Sequence, residues 1–172
     1  DLELAHFFGS SPVTILEDTT APNLKQALDY DAKSPEKYLK QVLQIEAVGC
    51  KDWLTNKVDR SVTGRVAAQQ TVGPLQLPLN DYGIMALDYE GKVGEVTSIG
   101  HAPVAALVNP AAGSRLAIAE ALTNMVGAPI ADGLKGVSLS ANWMWPAKNP
   151  GENARLYAAV EAISEFSTQL GL

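Results

Sequence analysis

Apolar residues recur along the chain with two different periods, and the switches between them mark its regions. In residues 1–34 short apolar runs mix with turn residues. Val13–Asp18 (VTILED) alternates like a brief strand, and TTAPN then breaks it. Ser34-Pro35 is a helix start with proline in the first turn, and Tyr38, Leu39, Val42, Leu43 and Ile45 follow at helical spacing. A second short helix is expected around Asp52–Asn56. Residues 60–100 change character. SVTGRVAAQ, VGPLQLPL, DYGIMALDY and GKVGEVTSI are strand-like runs punctuated by Gly, Pro and Asn-Asp, and Glu90-Gly91-Lys92 reads as a hairpin turn.

Two longer helices come next. Asn109-Pro110 offers an N-cap and a first position, and Gly127 a stop. Asn149-Pro150-Gly151-Glu152 repeats the start, with Glu152 placed to complete a capping box. Leu156, Val160, Ile163, Phe166 and Leu170 then form an apolar stripe that ends at Gly171. Between the helices, Gly136–Trp143 (GVSLSANW) reads as a strand leading into a polar loop. The pattern predicts an α+β fold, strands first with helices packed on one face. Residues 1–34 form an irregular lead-in and 35–172 the domain.

Composition narrows the function. A chain of 172 residues can bury roughly 70% of its unfolded surface, so a full core is feasible. The net charge of −6 argues against a nucleic-acid partner and leaves no polybasic patch for a membrane. One cysteine, Cys50, rules out an internal disulfide framework and suits a reducing, cytoplasmic setting. No apolar run is long enough to span a bilayer. The first residue is Asp1 rather than Met, as expected of an excised piece.

The helix from Arg115 carries the candidate chemistry. At 100° per residue, Ile118, Ala119, Leu122, Met125 and Val126 gather on one side. Glu120 and Asn124 share the other with Gly113 and Ala117. Taken alone, an acid and an amide opposite an apolar stripe read as a solvated face. However, that face is built from small residues rather than Lys/Glu pairs, which leaves room for something along it. Carboxylate and amide oxygens one turn apart are hard ligands of the kind magnesium takes, usually together with phosphates.

Three stretches then carry a resemblance: DRSVTGRVAAQQTVGPLQLPLNDYGIM, SIGHAPVAALVNPAAGSRLAIAEALTN and VSLSANWMWPAKNPGENARLY. Together they resemble the large, single-chain phosphoribosylformylglycinamidine synthase family of purine biosynthesis, most strongly from Lys51 to Leu172. The resemblance implies a carbon–nitrogen ligase. Such an enzyme uses ATP to phosphorylate the amide oxygen of formylglycinamide ribonucleotide, and glutamine-derived ammonia displaces that phosphate. The matching segment is the N-terminal α+β layer of the second synthetase half, similar to aminoimidazole ribonucleotide synthetase, whose mixed sheet forms part of a pseudo-dimeric barrel.

That half of the family holds an auxiliary ADP with Mg2+. The resemblance places the metal ligands on Asp81, Glu120 and Asn124 and a phosphate-binding lysine on Lys51, with a further carboxylate beyond Leu172. The glutaminase domain and the other synthetase half would be partners, and the excised segment would be inactive and pair as a homodimer. The chain departs from the family pattern at Gln69, where an acidic residue is expected.

Other residues read as structural. His101 lacks a nearby catalytic partner in sequence, and His6 lies near the terminus. Cys50 has no Cys-His signature and reads as a small buried hydrophobe. Arg115 and Asp59-Arg60 suit ion pairing as well as phosphate. Gly73-Pro74 lacks the pattern of a P-loop. Trp143 and Trp145 pack or cover a joint to other domains. Two further readings stay open: a scaffold module that binds no ligand, and a related synthetase acting on another substrate.

Overall fold

The computed structural model describes residues 1–9, 13–21, 27–50 and 64–172. Two short helices, α1 (Leu4–Phe8) and α2 (Pro35–Val42), precede a three-stranded sheet of β1 (Val66–Ala68), β2 (Tyr82–Ala86) and β3 (Gly94–Ser98). Three helices follow: α3 (Pro103–Val108), α4 (Pro110–Asn124) and α5 (Glu152–Leu170). The fold class is α+β, as the pattern predicts. The sheet is not mixed: among the described residues both pairings are antiparallel, in the order β1-β2-β3. Neighbouring strands joined by a loop that folds straight back, with no crossover helix between them, pair this way.

The β2–β3 hairpin forms where the turn residues place it. Tyr82 pairs with Ser98 and Ala86 with Gly94. Gly91 adopts φ 70°, and its N–H donates to Asp88 Oδ1 at 2.7 Å. VGPLQLPL is not a strand. It is a tight loop with one bridge, Val72 to Leu77, in which Gln76 takes φ 50°. Two prolines remove the N–H donors that a ladder would need.

Helix boundaries follow proline closely. Pro35 opens α2, but Ser34 does not cap it. Its hydroxyl donates to Asp31 Oδ2 at 2.7 Å, and this bond, ahead of the Lys33 N–H, holds the Asp31 carboxyl below its ordinary range. Asn109 both ends α3 and begins α4. Its N–H donates to Ala105 O, while its Oδ1 accepts from the Ala112 N–H at 2.9 Å. Gly127 is not the stop. The helix ends at Asn124, and Gly127 lies past it, facing the Tyr82 hydroxyl.

Two further predicted strands are absent. Val13–Asp18 is irregular and exposed, yet Asp18 caps α5 in place of the capping box. The N–H groups of Gly151, Asn153 and Ala154 donate to its carboxylate at 3.1, 2.9 and 3.3 Å. Gly151 is left-handed (φ 80°), and a Cβ there would collide with Ala21. Glu152 turns instead to Trp145 Nε1, which donates to it at 2.8 Å, and to Arg155. Gly136–Trp143 holds no strand; it follows a 3-10 turn (Gly133–Gly136). With no neighbouring strand among the described residues, its alternation has no ladder to join. Val137 and Leu139 instead line an open groove of about 460 Å³ with Val160, Ile163 and Leu172.

The core is small. Ile118, Ala159 and Ala162 are its buried apolar residues among those described. The buried residues of this helix pair are Ile118 on α4 and two alanines on α5, and the larger stripe of α5 stays partly exposed, Val160 at 40%. The chain exposes 13891 Å², against about 8,000 Å² expected for a compact monomer of its mass. Among the described residues, the full core that the chain's length allows is not completed.

Candidate functional site

The candidate site lies where β3 runs out against α4. Ser98 Oγ donates to Ala121 O at 2.7 Å, which pins the strand end to the helix. The next residues lie along the small-residue face. A Cβ on Gly100 would collide with Ala117 O and Ala121 N, so only glycine fits. The room left by Ala117 and Ala121 is thus filled by the chain's own backbone. Gly113 likewise receives α3, against Ala105 and Ala106.

This seating engages both predicted donors. Asn124 Nδ2 donates to Ile99 O at 2.8 Å. Glu120 Oε2 accepts from the His101 N–H at 3.2 Å, and its other oxygen lies 3.9 Å from His101 Nδ1. Both side chains keep solvent access, with Glu120 at 40% exposure. Asp81 is exposed and sits immediately before Tyr82, the ladder partner of Ser98, so it occupies the same end of the sheet. The structure ties Glu120 and Asn124 to one loop and places Asp81 at the same end of the sheet. Lys51, Asp59-Arg60 and the helix expected at Asp52–Asn56 lie outside the described residues.

Two contributors are not evident from the sequence. Asn80 Nδ2 donates to Gln69 O at 2.7 Å and to Tyr82 O at 2.9 Å, holding the Gln69–Asn80 loop against the start of β2. Arg155 Nη2 donates to Ala106 O and Leu107 O, both at 3.0 Å, which satisfies the last carbonyls of α3. An Asn ahead of a strand and an Arg in the first turn of a helix are the available signals, but neither names its partner. Cys50 is exposed rather than buried.

The donor chemistry suits a hard cation. Asn124 spends its NH2 on Ile99, which leaves its amide oxygen as an acceptor, and Glu120 faces His101 with both oxygens while staying 40% exposed. Among the described residues no three His, Cys, Asp or Glu side chains cluster tightly enough to cage a metal. An open oxygen site of this kind fits magnesium, which retains waters and bridges to phosphates.

A small antiparallel sheet with helices against its end defines the class of the chain as an α+β domain. The family model of the FGAR-AT PurM_N-like domain matches residues 50–172. A human phosphoribosylformylglycinamidine synthase is 46% identical over 173 residues, covering 100% of this chain and 13% of that protein. The Drosophila melanogaster enzyme of that name is 42% identical over 172 residues, covering 99% and 13%. An Arabidopsis thaliana relative, whose name reads chloroplastic/mitochondrial, is 40% identical over 173 residues, covering 100% and 12%. The chain belongs to the phosphoribosylformylglycinamidine synthase family and spans only 12–13% of the length of these relatives.

Proposed function

We propose that this chain is a segment of a phosphoribosylformylglycinamidine synthase. That enzyme is an ATP-dependent ligase that uses glutamine-derived ammonia to convert formylglycinamide ribonucleotide to the amidine. The segment contributes an auxiliary Mg2+–ADP site and part of a pseudo-dimeric barrel. Asp81, Glu120 and Asn124 ligate magnesium through oxygen, and Lys51 meets the phosphates as a point charge. The glutaminase domain and the other synthetase half are its partners, the cytoplasm its location, and the segment alone is inactive. The observation that carries the site is the joint of β3 and α4, where one loop engages Glu120 and Asn124 while both stay open to solvent.

Calorimetric titration with ADP, with and without magnesium, tests this in both the segment and the intact synthase. Magnesium-dependent binding that Glu120→Ala abolishes is the expected result. Binding that ignores both magnesium and Glu120 would return the helix face to a merely wet surface, and the segment to a scaffold.

A further inference from the structure

We propose that Gly100 is a positioning residue for the oxygen pair of α4, and that residue 124 is an amide because its NH2 group holds the same loop. The inference rests on the magnesium reading above. Ser98, Ile99 and His101 each make a hydrogen bond to α4 or its side chains, and Gly100 is the point of contact among them. Its φ is not positive, so glycine is required there for space rather than for backbone freedom. The atoms a Cβ would strike, Ala117 O and Ala121 N, are helix backbone and cannot yield. A side chain at 100 must therefore lift the loop and lengthen all three bonds.

Glu120 and Asn124 would then lose the contacts that fix their rotamers, and preorganised donors would become mobile ones. Asn124 has a second constraint. An aspartate there would set a carboxylate oxygen against Ile99 O, with no proton to share. Its extra charge would favour a cation, while its loss of the loop would disfavour one.

The experiment compares Gly100→Ala and Asn124→Asp with wild type in the intact synthase. One reading is hydrogen exchange at the His101 amide without nucleotide; the other is the magnesium needed for half-saturation at fixed ADP. Exchange at His101 is expected to rise about tenfold in both variants while α5 keeps its protection. Half-saturating magnesium is expected to rise about tenfold in both. Unchanged His101 exchange overturns the seating of the loop. Asn124→Asp binding magnesium as tightly as wild type, or tighter, overturns the amide argument, since a plain ligand would gain from the added charge. The exchange measurement needs no ligand, so absence of magnesium-dependent binding in wild type would sink the proposed function, while the seating of the loop would still stand or fall on the His101 exchange rate.

Discussion

Single side chains here act across long stretches of sequence. Arg155 is 13% exposed and carries the terminal carbonyls of α3, from Leu107 and Ala106, which lie 48 and 49 positions earlier in the chain. Arg155→Ala should remove both of these hydrogen bonds and cost about 2 kcal/mol, read as a lower denaturation midpoint at unchanged slope. Arg155→Lys should recover only part of it, because an ammonium cannot hold two carbonyls in a planar fork. Such partners are invisible along a linear sequence. The Asn109 cap was legible because its acceptor and donor lie three residues apart. Asp18 and Arg155 were not, because their partners are fixed only by tertiary packing.

At the scale of elements, the α5 N-terminus shows how a cap can be supplied from far away. Asp18 titrates below its ordinary value, chiefly through the Thr19 N–H; burial opposes this, and the N–H groups of Ala154, Gly151 and Asn153 add to the lowering. A lowered folded-state value means the ionised form is the one the fold prefers. The stabilisation is therefore complete above the ordinary carboxylate range and fades as pH falls through the lowered value. Wild type and Asp18→Asn should differ in melting temperature near neutrality and converge in acid. A gap that persists at low pH would show that the charge of Asp18 is not what the cap uses. Hairpin and helix periods predicted β2, β3, α2, α4 and α5 because each is locally consistent. Val13–Asp18 and Gly136–Trp143 carry strand alternation without a ladder, since a strand exists only where a neighbour pairs with it.

For the whole molecule, the decisive quantity is apolar surface without cover. Leu79, Ile99, Val104, Leu107 and Val126 are all more than two-thirds exposed. Surface of this extent on a lone chain favours association. Sedimentation of the isolated segment should show a species that grows with concentration toward a dimer, and a monomer at every concentration would refute that. The small core and the excess surface share one cause: many large apolar side chains among the described residues face outward. Length and composition make a full core feasible but do not decide whether one forms, because neither reveals which way a hydrophobic residue faces.

The shared Asn109 joint has a consequence for how this segment can change over time. Because one residue closes α3 and opens α4, no slack separates them to absorb an insertion. Adding a single residue within α4, before Glu120, would turn the rest of the helix by about 100° and carry both oxygens away from the loop. Residue types around the joint can drift, but the spacing from Gly100 to Asn124 behaves as a fixed gauge length, tolerant of spelling and intolerant of count.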